Sequence, residues 1–169
     1  MKRTDFLQRI TLGAGILAAP QLLLGQTTKQ EKPAALAADL VRDFVGAGHK
    51  DLEKVKTMLA QQPNLLYAAW DWGGGDFETA LEAAGHVGNK DIANYLLNLG
   101  ARPNIFVLTM LGKTSLVKPH LEAFPQLLNS KGPHGFSLLH HAQRGGDDAK
   151  ELLDYLTAKG LKETRFSLW

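Results

Sequence analysis

Three histidines stand close together near the C-terminal end, His134, His140 and His141. Imidazole nitrogens are the commonest metal donors in proteins. Their spacing, H-x5-H-H, matches no recognised ligand frame. Adjacent residues on a helix project about 100° apart, so His140 and His141 do not converge on one ion. His86 lies between Gly85 and Gly88 and reads as a solvated surface histidine. Four carboxylates, Asp71, Asp76, Glu78 and Glu82, are dense along one short stretch. Paired carboxyls hydrolyse glycosides when they flank a cleft at fixed separation, and nothing in the pattern supplies a cleft. A solvated acidic surface is the expectation. No G-x-S-x-G elbow, P-loop, H-E-x-x-H or C-x-x-C occurs. Gly73-Gly74-Gly75 lacks the lysine of a phosphate loop and reads as a turn. The residue types therefore imply no catalytic group, no metal and no cofactor.

The elements that position these residues are legible from residues 77–104, FETALEAAGHVGNKDIANYLLNLGARPN. Thr79 is placed to cap a first short helix, its hydroxyl accepting an orphan N–H. Gly85 and Gly88 are expected to bracket a tight turn. A second helix follows, with Ile92, Tyr95, Leu96 and Leu99 at i, i+3, i+4 and i+7. Gly100 stops it. A two-helix unit of this size buries too little to stand alone and needs copies of itself as neighbours.

Copies are present. Leu59, Pro63, Leu65 and Leu66 recur as Leu121, Pro125, Leu127 and Leu128, all offset by 62. Thr79 and Leu81 recur as Ser137 and Leu139, offset by 58, and Asn94-Tyr95-Leu96 recurs as Asp154-Tyr155-Leu156, offset by 60. These offsets are near twice ~30, one repeat length of common helical arrays.

Thr79-Ala80-Leu81-Glu82-Ala83-Ala84 and Ser137-Leu138-Leu139-His140-His141-Ala142 resemble the T-P-L-H-x-A motif of ankyrin repeats. Gly88-Asn89-Lys90-Asp91-Ile92 and Leu96-Leu97-Asn98-Leu99-Gly100-Ala101 continue the similarity. The motif proline is replaced by Ala80 and Leu138, and Glu82 stands where the histidine would be. The resemblance implies an all-α ankyrin-repeat solenoid of about four helix-turn-helix repeats, over 34–66, 67–100, 101–129 and 130–162, with a tail over 163–169. It implies that His140 is structural, bonding backbone between repeats. It also implies that the stretch from Tyr67 to Asp76 forms a hairpin finger on the concave side, and that hairpin tips and first-helix ends meet a partner. Carried over by position, the contact residues are Trp70, Asp71, Trp72, Asp76, Glu78, His86, Arg102, His134, His141 and Arg144. Trp70 and Trp72 are the proposed anchors, tryptophan being enriched at interface hot spots.

Outside the repeats, Lys2, Arg3 and Arg9 precede an uncharged stretch over 10–28, and Leu23-Leu24-Gly25 is an acceptable cleavage site. Residues 1–25 read as a secretory signal peptide and 26–33 as a linker. Arg3-Thr4-Asp5-Phe6-Leu7 resembles a twin-arginine signal with Thr4 in place of the second arginine, so the route stays open, as does an uncleaved anchor. The segment 1–25 holds three of 19 basic and one of 17 acidic side chains, leaving 16 of each. The neutral remainder lacks the electrostatic footprint of a nucleic-acid binder, and without cysteine no disulfide staples it.

In the remaining segments, Leu36, Leu40, Val41 and Phe44 predict a first helix, and Pro63 ends the second. Ile105, Phe106, Leu108, Met110 and Leu111 predict a helix buried on most sides, and Pro119 is expected to shorten or distort the next helix at its start. Residues 137–143 and 149–159 predict the last pair, with the 166–169 tail folded back over it. The expectation for function is a non-enzymatic protein–protein interaction scaffold, periplasmic or secreted. The alternatives are an escort subunit of an exported enzyme and, third, a hydrolase using the acidic stretch.

Overall fold

The computed structural model describes residues 32–169, and the expected signal peptide over 1–25 lies outside the described residues. From residue 35 onward the chain is one compact unit, and it is mostly helical. The helices are α1 (Ala38–Ala47), α2 (Leu52–Gln61), α3 (Ala80–Val87), α4 (Lys90–Asn98), α5 (Ile105–Met110), α6 (Thr114–Ala123), α7 (Leu138–Gly145) and α8 (Lys150–Ala158). The helices pack in sequential pairs, α1 with α2, α3 with α4, α5 with α6 and α7 with α8. The first helix of each pair also packs on the next, α1 on α3, α3 on α5 and α5 on α7.

The helix starts follow from local chemistry. Thr79 accepts from the Glu82 N–H while Glu82 reaches back to the Thr79 N–H, a complete capping box. Asn104 accepts from the Val107 N–H, and Ser137 from the His140 N–H. The repeated segments PNLLY and PQLLN fold alike, as 3-10 turns over Pro63–Tyr67 and Pro125–Asn129 with proline at the first helical position. Two expectations need correction. Gly85 lies within α3 rather than in a turn, where a Cβ would stand 3.1 Å from Val107 Cγ2, so its bareness lets α3 approach α5. Pro119 sits inside α6 without shortening it: as the sixth residue it forfeits one ladder bond, and the helix continues on either side.

Two apolar clusters form the core. One gathers Phe44, Val55, Leu65, Leu81, Ile92, Leu96, Val107 and Met110, the other Phe106, Val117, Leu138, Leu152 and Leu156. Neighbouring residues Phe106 and Val107 face different clusters, which is why α5 is apolar nearly all round. Each fully buried leucine or phenylalanine stabilises the fold by roughly 1.5–3 kcal/mol before entropy is charged against it.

His141 is also in this interior, 1% exposed, with its Nδ1–H donating to the Ser137 carbonyl at 2.8 Å. Burial lowers its pKa to about 4. Burial also holds the His140 pKa below its ordinary value, against the opposing hydrogen bond to the His86 carbonyl. Both are depressed histidines, so the unfolded chain takes up protons that the native state refuses, and stability falls as pH drops below the unfolded value of 6.5. For His141 alone the loss between pH 7 and pH 5 is about 2 kcal/mol. Urea unfolding at the two pH values checks this. His141→Gln, which removes the titrating group, is expected to shrink the pH dependence by that amount.

Candidate functional site

The acidic stretch forms a hairpin finger. Strands β1 (Ala69–Asp71) and β2 (Phe77–Thr79) pair antiparallel, with Ala69 opposite Thr79 and Asp71 opposite Phe77. The connecting turn runs through Gly73, Gly74 and Gly75 at φ of +131°, +65° and +89°. Three successive left-handed residues are accessible only to glycine at low cost. Asp71 fixes this turn, its Oδ1 accepting from the Gly73 and Gly75 N–H groups at 2.8 and 3.1 Å. Side chains alternate along a strand, so Phe77 points to solvent, 61% exposed, and Glu78 points inward, fully buried.

Glu78 lies among three histidines delivered by other elements. His49 comes from the turn after α1, His86 from the C-terminal end of α3, and His134 from the 3-10 turn Pro133–Gly135. One donor atom from each of His49, Glu78, His86 and His134 lies within 4.8 Å of every other. His86 Nε2 is 3.1 Å from His49 Nε2 and 2.9 Å from Glu78 Oε1. Glu78 Oε2 is 3.5 Å from His49 Nε2 and 3.6 Å from His134 Nε2. It also accepts the indole N–H of Trp72 at 2.8 Å. Glu78 Oε1 is buried without a hydrogen bond, although His86 Nε2 approaches it to 2.9 Å.

A second layer orients the rings. Asp76, buried beside the finger turn, accepts the His134 backbone N–H at 2.8 Å on Oδ1 and the Nδ1–H at 2.7 Å on Oδ2. These two bonds hold His134 at φ +58°, the one left-handed non-glycine among the described residues. His49 Nδ1 lies 3.2 Å from the Gly46 carbonyl. A carbonyl only accepts, so Nδ1 carries the proton and Nε2 presents a lone pair. The His86 ring stacks on Phe136, which also stacks on His140, with centroids 5.2 and 4.0 Å apart. His140 in turn donates through Nε2–H to the His86 carbonyl at 2.8 Å. These four residues can hold a divalent cation. Without one they form a polar cluster around a buried carboxylate.

The residues expected to meet a partner divide by burial. Trp72, Asp71, Arg102 and Arg144 are exposed, with Arg102 lying over the Tyr67 ring at 5.3 Å, and Trp70 is half-buried in β1. Asp76, Glu78, His86 and His141 are buried, so their expected place on a contact surface is corrected. The reading of His86 as a solvated histidine is corrected likewise. It is 7% exposed because α3 continues through Gly85 and turns the ring under the finger. His134 is not grouped with His141. Its 3-10 turn directs it to His49 and His86. The acidic residues are each engaged: Asp71 in the turn, Asp76 on His134, Glu78 with Trp72, and Glu82 in the capping box and on the Asn104 amide.

Sequence reasoning missed His49. The signal available was register: His49 just after α1 and His86 in the last turn of α3 both mark the end of the first helix of consecutive pairs, 37 residues apart. Asp76 and His134 are likewise offset by 58, the offset of the caps Thr79 and Ser137. In comparisons with known proteins, no family model, no characterised protein and no solved structure matches the chain. Among the described residues no helix is long and apolar enough to cross a membrane.

Proposed function

We propose that the chain is a non-enzymatic interaction module, an ankyrin-like array of helix pairs that is exported and presents its finger to a protein partner. The observation that carries this reading is the finger's division of labour. Its inward residues, Asp76 and Glu78, are buried and tied to the helices, while Phe77 is 61% and Trp72 40% exposed. Trp169 of the tail, 83% exposed, lies beside the finger tip, where a Cβ added at Gly74 would stand 3.3 Å from its ring. Large aromatics held exposed on a rigid scaffold are poor for solubility alone; aromatic residues are enriched in interface cores, and tryptophan is among the types most enriched at binding hot spots. The stacking of α1, α3, α5 and α7 supports an array, and the basic, then uncharged, leader over 1–25 supports export.

The test is affinity capture from extract of the source cells. Phe77→Ala with Trp169→Ala removes two exposed rings and leaves the buried network intact. A hot-spot ring is worth about 2 kcal/mol or more, so recovery of a specific partner is expected to fall at least tenfold. Undiminished capture by the double variant contradicts the reading.

A further inference from the structure

The geometry points to a metal site: we propose that His49, Glu78, His86 and His134 bind one zinc ion in a closed, four-coordinate structural centre. Three imidazole nitrogens and one carboxylate form a borderline donor set of the kind that suits zinc. Zinc bonds of about 2.0–2.1 Å place the donors of a tetrahedron about 3.3–3.4 Å apart. One donor atom from each of the four residues lies within 4.8 Å of every other, and His86 Nε2 already stands 2.9 Å from Glu78 Oε1 and 3.1 Å from His49 Nε2. Modest side-chain movement brings such a set to tetrahedral spacing.

Orientation supports the same conclusion. Metal-bound histidines give their second ring N–H to a carboxylate or a backbone carbonyl, which fixes the tautomer and turns the other lone pair inward. His134 does this through Asp76 Oδ2 and His49 through the Gly46 carbonyl. The Nε2 atoms of His49 and His134 then lie 3.5 and 3.6 Å from Glu78 Oε2, and His86 Nε2 lies 3.1 Å from His49 Nε2, so the ring nitrogens and the carboxylate converge on one point. Glu78 is the independent witness. Its side chain has no exposure, its Oε2 is held by Trp72, and its Oε1 has no hydrogen bond. A buried carboxylate oxygen left in that state is costly. A cation between it and the histidine nitrogens removes the cost.

The centre is closed. Four protein donors complete a tetrahedron and leave no coordination position for a reacting water, the hallmark of structural rather than catalytic zinc. The ion would tie the turn after α1, the finger, the end of α3 and the Pro133–Gly135 turn at a single point, joining parts of the chain 85 residues apart from His49 to His134.

Zinc alone, titrated calorimetrically into the chelator-treated full-length chain, is the test. One saturable site per chain is expected, with thermal stability rising as zinc is added. Glu78→Gln and His49→Gln are each expected to weaken binding by more than about 100-fold, exceeding the loss typical of an outer-layer partner. His49 lies in a surface turn, so its variant keeps the test meaningful if the Glu78 change unfolds the chain. His120→Gln, on exposed α6, is expected to leave binding unchanged. Absence of saturable binding, or binding retained in His49→Gln, overturns the site.

Discussion

Gly112→Ala is expected to lower stability by about 2–4 kcal/mol. Gly112 follows α5 at φ +65°, and a Cβ there would run into the carbonyl of Asp148, a backbone atom with no rotamer to escape through. The left-handed conformation costs an L-residue about 1 kcal/mol. Forcing the turn after α5 away from the Gly146–Ala149 segment adds the typical overpacking cost of about 1–3 kcal/mol. Gly160 provides the control: it too is left-handed, at φ +89°, but nothing lies within 4 Å of its added Cβ. Gly160→Ala is expected to cost only the conformational part, about 1 kcal/mol. Urea unfolding of both variants measures the difference. Equal losses would mean that the close approach of successive helix pairs does not limit the fold.

Asp76→Asn is expected to weaken zinc binding by roughly 10–100-fold while leaving every donor in place. Asp76 presents two acceptor oxygens, one to the His134 backbone N–H and one to its Nδ1–H. Asparagine has one acceptor and one NH2 group. Whichever way the amide turns, one bond to His134 becomes a clash of donors. If the amide nitrogen faces Nδ1, the imidazole proton moves to Nε2 and blocks the lone pair that would bind the ion. If it faces the backbone N–H, the left-handed His134 at φ +58° loses its anchor. Calorimetric titration reads the affinity and circular dichroism the helical content. Weakened binding with unchanged helicity is the expected pair. Unchanged affinity would remove Asp76 from the centre.

The parts of the fold written locally were legible, and those written by distant partners were not. The cap Thr79 and the stop at Gly100 follow from nearest neighbours, and each is where the residues put it, while Ser137, read as the first residue of its helix, caps it instead. The apolar run of α5, Ile105 to Met110, announced burial on most sides because no polar face exists to be solvated. Glu78 was read as surface because its neighbours are Asp76, three glycines and two tryptophans, a composition typical of exposed turns. What buries it is His49, 29 residues before, and His134, 56 residues after. No window of sequence short enough to show a pattern contains all three. His86 was misread because Gly85 suggested a turn, whereas its missing Cβ serves the approach of α3 to α5. The tail divides in the same way: Phe166 packs on the second cluster through the bridge from Arg165 to Phe136, as a folded-back cap does, while Trp169 remains exposed.

A stack of helix pairs needs no polar centre to hold together, since its apolar clusters already run from α1 to α8. The convergence of three histidines on one buried carboxylate therefore asks for an occupant. Cobalt(II) absorption gives the most direct view of it, because the intensity of its visible bands separates tetrahedral from octahedral coordination. Cobalt titrated into the metal-free full-length chain is expected to produce intense tetrahedral bands that saturate at one ion per chain and vanish when zinc is added. A weak octahedral spectrum, or tetrahedral bands that persist in His49→Gln, would contradict a centre built by His49, Glu78, His86 and His134.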